Sequence, residues 1–206
     1  MKTEKEIYVI RHGQTEHNKK GIVQGKGVNL PLNDTGQAQA RKFFDAYKEV
    51  PFDVVYTSTL LRAQETVSDF LKLGIPHIIR PELDEISWGN FEGNAAVMEQ
   101  SDAFKNLLVA WRNGELDQKP EGGESPLDLQ KRQMPFIDEI RNSPHSKILV
   151  CMHGRAMRCL MCTLTNSPLT DMEKFEHVNL TLYKLSLSSL GEFSLELNNH
   201  QDHLND

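Results

Sequence analysis

The chain has few cysteines, no long apolar run and no excess of positive charge. Its three cysteines, Cys151, Cys159 and Cys162, are too few to brace a domain of 206 residues, which excludes a disulfide scaffold and points to a reducing compartment. No apolar stretch approaches the roughly 20 residues that cross a bilayer. The opening MKTEKE leads only into the apolar run Ile7 to Ile10, so a cytoplasmic chain without a signal peptide is expected. Acidic residues outnumber basic ones 29 to 23, for a net charge of -6, and no general positive field attracts nucleic acid or an anionic membrane. Any anion must be held by a local cluster.

What the sequence does have is a strand and helix alternation. EIYVIR is a β-branched apolar run cut off by His12-Gly13, which predicts a buried strand ending in a loop. Asn33-Asp34-Thr35 supplies cap chemistry for a helix with Ala40, Phe43, Phe44 and Tyr47 on one face. FDVVYTS predicts a second strand, and Thr57-Ser58-Thr59 is expected to cap a helix carrying Ala63, Val67, Phe70 and Leu71 and ending at Gly74. KILVCM predicts a third strand, broken at His153-Gly154 into a helix through Met161. Such alternation implies parallel pairing.

Between these units Phe104, Leu107, Leu108 and Trp111 mark one helix, and Ser125-Pro126 opens another that Pro135 is expected to kink or shorten. KPEGGES, residues 119 to 125, suits a mobile connection, and LYKLSLSSLGEFSLELNN alternates as a hairpin followed by a tail, HQDHLND, expected to fray. No composition shift marks a domain boundary. The expectation is a single domain over residues 1 to 206 with a helical insert at about 94 to 142.

Arg11-His12-Gly13 stands at the end of a predicted strand, where ligands of open α/β sheets bind. A lone RHG is as readily a strand cap as a site. The second His-Gly, at His153, with Arg62 at the start of a predicted helix, changes that weighing, because two histidines and two arginines at strand ends would converge as a cationic pocket for a phosphoryl group.

Rival motifs fail on spacing. The segment from Gly21 to Lys26 is one residue short of a phosphate-binding P-loop and lacks the hydroxyl residue after lysine. Cys151 has arginines at 155 and 158 rather than six positions on, as the cysteine-dependent phosphatase loop requires, and HExxH is missing. Cys159 and Cys162 have redox or zinc spacing but lie in an apolar helix without a second pair, so buried packing is expected. His17, His77, His145, His177, His200 and His203 are scattered and are read as ordinary surface or interior residues, with no metal site.

The sequence resembles the histidine phosphatase superfamily that includes cofactor-dependent phosphoglycerate mutase. Five segments carry the resemblance: RHGQTEHN at 11 to 18, QGKGVNLPLNDTGQAQA at 24 to 40, YTSTLLRAQET at 56 to 66, LDEISWGNFEG at 83 to 93 and VCMHG at 150 to 154. It implies a three-layer α/β/α sandwich with a mostly parallel sheet. It also implies that His12 is the nucleophile and Glu85 the proton donor, that Arg11, Arg62 and His153 hold the transferring group, and that Asn18, Gln24, Gly25 and Gly154 bind phosphate, without metal or cofactor. The implied activity is hydrolysis of a small phosphorylated metabolite through phosphohistidine.

A mutase of this kind carries a longer segment with a paired-arginine grip, whereas residues 94 to 124 hold only Lys105, Arg112 and Lys119 as basic residues. The expectation is therefore a phosphatase, the alternatives being a mutase-type phosphotransferase and a protein-binding module that has lost turnover. Arg155 departs from the small residue that often follows the second His-Gly. It is expected either to turn away on the helix surface or to reach over the pocket mouth to a second anionic group. The sequence does not decide between a monomer and a homodimer.

Overall fold

The computed structural model describes residues 4–93 and 101–205. β1 (Lys5–Arg11) runs into the short α1 (Glu16–Lys19), and α2 (Asp34–Tyr47) leads to β2 (Val54–Thr57), α3 (Leu61–Thr66) and α4 (Ser68–Lys72). β3 (His77–Ile79), α5 (Asp102–Arg112), α6 (Pro126–Asn142) and β4 (Lys147–Met152) follow, then α7 (Gly154–Leu164), β5 (Leu182–Leu187) and β6 (Phe193–His200).

Six strands form one sheet in the order β3-β2-β4-β1-β5-β6. The first four are parallel, whereas β5 pairs antiparallel with both β1 and the edge strand β6. Alternating strand residues sort into two cores, as a pleated strand requires. Ile7, Val9, Val54, Tyr56, Ile148 and Val150 face Trp111 of α5, Phe136 of α6 and Leu160 of α7. Tyr8, Ile10, Val55, Leu149 and Cys151 face Phe43 and Phe44 of α2, Ala63 of α3 and Phe70 of α4. The sandwich is three-layered and mostly parallel, as the sequence led one to expect. Among the described residues no helix is long and apolar enough to cross a membrane.

Several local expectations need correction. Thr57-Ser58-Thr59 does not cap one helix: α3 begins after Leu60 without a side-chain cap, and the helical stretch is divided at Val67. Gly74 does end it, at φ +80°, a conformation that glycine adopts freely. Pro135 does not shorten α6: it lies inside the 17-residue helix, which runs on past it to Asn142, because a capping box at Ser125 and burial of Phe136, Ile137 and Ile140 outweigh one missing hydrogen bond. KPEGGES is fastened rather than loose: Gly123 N donates to Pro120 O, Asn90 N to Glu121 O, and Glu124 pairs with Arg132. The tail forms a 3-10 turn, Asp202–Leu204, in which His203 meets Leu180 O at 2.8 Å and packs on Phe43. Of the expected insert, residues 94 to 100 lie outside the described residues, and the remainder supplies α5 and α6.

Candidate active site

Parallel pairing of β1 with β4 sets Arg11 opposite Met152, so the two His-Gly turns leave the sheet side by side. The rings of His12 and His153 lie 5.0 Å apart, both buried. His12 N donates to Met152 O at 3.0 Å, and Asn179 Nδ2 donates to His12 O at 2.9 Å. Behind the first turn, Gly36 is required by close approach: a Cβ there would sit 2.1 Å from Gln14 O.

His12 Nδ1 lies 2.7 Å from Gly13 O. A carbonyl can only accept, so Nδ1 carries the hydrogen and Nε2 holds the free lone pair. Burial, followed by the charges of Arg62 and Arg11, holds the His12 pKa well below the usual histidine range, so the ring is neutral at physiological pH. Arg11 and Arg62 are themselves pushed down to about 10 by burial, with Glu85 opposing, and both stay charged.

A cavity of about 280 Å³ opens over His12. Arg11, Asn18, Gln24, Glu85 and Gly154 stand on its wall. Asn18 Oδ1 accepts from Thr15 N and Asn179 Nδ2, so its amide NH₂ is what it can offer an anion. Arg62, His153 and Gly25 are not on that wall. Arg62 lies behind it, donating to His153 Nδ1 at 3.2 Å, Val28 O at 2.5 Å and Gly25 O at 3.3 Å. Gly25 is there because a Cβ would meet Glu92 Oε1 at 2.0 Å, and its carbonyl serves Arg62.

Glu85 reaches the pocket across the first turn of α7, whose backbone N–H groups lack intrahelical partners. Oε1 accepts from Ile86 N at 2.9 Å and Ala156 N at 2.8 Å, and Oε2 from Arg155 N at 3.1 Å. Arg132 fastens the loop that carries it, donating to Pro81 O, Glu82 O, Asp84 O and Glu85 O while its fork grips Glu124.

His177, Arg158, Trp88 and Trp111 escaped the sequence reading, which left Arg155 open between two directions. His177 is a pocket residue rather than an ordinary histidine: its Nδ1 accepts from Arg11 Nη1 at 3.3 Å, it covers Gly154, and burial with the charge of Arg11 lowers its pKa to about 2. Arg155 does not turn away on the helix surface. It lines the cavity with Arg158, and its guanidinium lies 5.8 and 5.7 Å from the ring centroids of Trp88 and Trp111. Trp88 and Trp111 announced only core packing in the sequence, and an arginine after a His-Gly was the sole signal.

The cysteine thiols are poor nucleophiles here. Cys151, Cys159 and Cys162 are free and buried, and burial raises all three thiols. Among the described residues no group of three or more His, Cys, Asp or Glu is placed to hold a metal ion.

The geometry gathers His12 with Arg11, Arg155 and Arg158 around one pocket on a mostly parallel α/β sheet, and comparison with known proteins gives the chain a family. The model of the histidine phosphatase superfamily (branch 1) matches residues 7–200, and the chain belongs to that superfamily. A 2,3-bisphosphoglycerate-dependent phosphoglycerate mutase of Bradyrhizobium diazoefficiens is 33% identical over 175 residues, 79% of this chain and 82% of the relative. The alpha-ribazole phosphatase of Shigella flexneri superposes with a TM-score of 0.81 at 25% identity, covering 95% of this chain and 96% of that one. A mycobacterial glucosyl-3-phosphoglycerate phosphatase shares the fold, with a TM-score of 0.82 at 22% identity over 97% of this chain and 100% of that one.

Proposed function

We propose that the protein hydrolyses a small phosphomonoester without a metal ion, by way of phosphohistidine at His12. The observation that carries this reading is the 2.7 Å contact of His12 Nδ1 with Gly13 O, which leaves Nε2 of a neutral ring as the nucleophile beside Arg11. In the first step the Nε2 lone pair forms the N–P bond while the P–O bond to the organic group breaks. Phosphoryl transfer has a loose, highly charged transition state, so catalysis rests on aimed donors. Arg11 and the Asn18 amide supply them from the wall, with Gln24 and Gly154 beside them, and Arg62 and His153 add charge and support from behind.

The departing oxygen needs a proton. Glu85 is the group placed to give it, from Oε2, because Oε1 is held by two N–H donors and Oε2 by one. In the second step water attacks phosphorus, the N–P bond breaks, and the water proton returns to Glu85.

Hydrolysis is favoured over a mutase because the sequence of residues 94 to 124 bears no paired arginines. The set of Arg11, His12, Arg62, Glu85 and His153 gathered in one region speaks against a module without turnover. The chain is read as one domain, and its three free, buried cysteines support a reducing, cytoplasmic setting. A panel of phosphorylated metabolites assayed for released phosphate, with 3-phosphoglycerate isomerisation followed in parallel, tests the proposal. Phosphate release is expected, and rapid isomerisation without release would replace it with the mutase.

A further inference from the structure

Arg11 stands next to His12, and its side chain is held differently from those of the arginines around it. Arg155 and Arg158, which line the same cavity, both donate to Glu173, and Arg132 grips Glu124. Among the described residues Arg11 makes no ion pair. The partner of its guanidinium is the imidazole of His177, whose Nδ1 accepts from Nη1 at 3.3 Å. An accepting Nδ1 puts the ring hydrogen on Nε2. Burial, followed by the charges of Arg11, Arg158 and Arg155, lowers the His177 pKa to about 2, so the partner is uncharged. For an anion site this difference matters. A carboxylate on Arg11 would orient it but also cancel its charge and compete with the phosphoryl oxygens, whereas a neutral acceptor fixes the direction and leaves the charge.

His177 is itself fastened from several sides. Its ring lies against Gly154, where a Cβ would sit 2.7 Å from Cε1 and 2.8 Å from Nε2. The segment that carries it also grips the main chain of Arg11: Leu180 N donates to Arg11 O at 3.1 Å, and Arg11 N to Thr181 O at 3.3 Å. Asn179 Nδ2 reaches His12 O and Asn18 Oδ1 from the same segment. Leu180, fully buried, has φ +60°, a conformation that strains a non-glycine residue and persists only where the surroundings over-determine it. Both the root and the head of the Arg11 side chain are thus held by one strained segment, residues 177 to 181.

We propose that His177 is a positioning residue for the phosphoryl group, a neutral acceptor that aims the Arg11 guanidinium into the cavity without quenching its charge. This rests on the phosphatase reading above, which assigns Arg11 to the phosphoryl oxygens.

The test replaces His177 by Asn, Asp and Leu, three side chains of nearly one shape. His177→Asn puts a neutral acceptor where Nδ1 sits, His177→Asp a charged one that the neighbouring arginines keep ionised, and His177→Leu none. The space left by the ring is common to all three. Affinity for vanadate is read by calorimetry, which needs no turnover, beside urea midpoints and kcat/KM for nitrophenyl phosphate. His177→Asn is expected to bind vanadate about tenfold or more tightly than the other two, as one charge-assisted hydrogen bond implies, with kcat/KM in the same order. Stability follows another order, because an aspartate pairs with Arg11: the urea midpoint of His177→Asp is expected at or above that of His177→Asn. A merely structural brace would make anion affinity follow stability, with Asp serving as well as Asn. Affinities of the Asn and Asp variants within about threefold of each other, or a wild type that does not bind vanadate, overturn the proposal. Should one variant fail to fold, the remaining comparison with His177→Asn decides by the same margin. Absence of His12-dependent hydrolysis beside intact vanadate binding fails the phosphatase reading alone, and the order of affinities still decides the role of His177.

Discussion

Arg62 Nε donates to His153 Nδ1 at 3.2 Å, while His153 Nε2 lies 2.7 Å from Ser58 Oγ. Guanidinium cannot accept, so His153 carries its hydrogen on Nε2 and donates it to the serine. His12, 5.0 Å away, carries its hydrogen on Nδ1. The two histidines of the paired turns are thus held in opposite tautomers, one freed for attack and the other locked as support. Burial and the charge of Arg62 keep His153, like His12, far below the usual pKa, and nitrogen NMR of the two rings at neutral pH should report both tautomers.

The neutral histidines set the pH dependence of stability. His12, His153 and His177 all have folded pKa values below the unfolded one, so below about pH 6.5 the unfolded chain binds protons that the folded chain refuses. Stability is complete above that value and declines as pH falls, by up to about 1.4 kcal/mol per pH unit for each such histidine. Urea midpoints measured from about pH 7.5 down to 5 should fall, and less steeply in His177→Gln, which keeps an acceptor for Arg11. A flat profile in the wild-type protein would contradict the assignment.

Replacing Glu85 by Gln keeps the shape and removes the acid. An alkyl phosphate leaves as a basic alkoxide, so phosphorylation of His12 should slow by about 10²- to 10⁴-fold. Nitrophenyl phosphate leaves as a stabilised phenolate and should suffer much less. Because dephosphorylation also uses Glu85, the first-turnover burst is the quantity to measure. Equal losses for the two substrates would make Glu85 a positioning group.

Arg132 does not itself line the cavity, yet it ties together Glu124 and the carbonyls of the Glu85 loop. Arg132→Met leaves Glu124 half-buried without its fork and should cost about 2–4 kcal/mol, discounted from a fully buried pair for its partial exposure. It should also lower kcat at temperatures where the variant remains folded. Arg132→Lys should not restore it, since an ammonium cannot grip a carboxylate and several carbonyls at once. Wild-type kcat in the folded Arg132→Met protein would show that the loop needs no such fastening.

Much of this was legible because it is local. Arg11-His12-Gly13 and His153-Gly154 announce themselves as abrupt ends of apolar runs, and the two cores follow from period-two strands and helical faces. What the sequence concealed depends on distant partners. β3 is three residues long and only half-buried, too little for a periodicity to show. His177 looks ordinary until the chain brings it to Arg11 from 166 positions away. Arg155 left two directions open, and the choice belongs to Trp88, Trp111 and Glu173, none adjacent to it in sequence. The cap expected at Thr57-Ser58-Thr59 failed for a similar reason: Ser58 meets His153 and Thr59 meets Asp84.

Dialysis against a chelator should leave phosphate release unchanged, and vanadate, a mimic of the trigonal-bipyramidal phosphoryl group, should inhibit in competition with substrate. Activity lost to the chelator and restored by a divalent cation would require a different mechanism.

The central claim is a covalent intermediate on one nitrogen. Acid quenching of the protein during turnover of a labelled phosphomonoester, followed by rapid peptide mapping, should place phosphate on His12, labile to acid and stable to base, and His12→Ala should lose both label and turnover. Label on any other residue, or near-wild-type turnover by His12→Ala, would contradict the account.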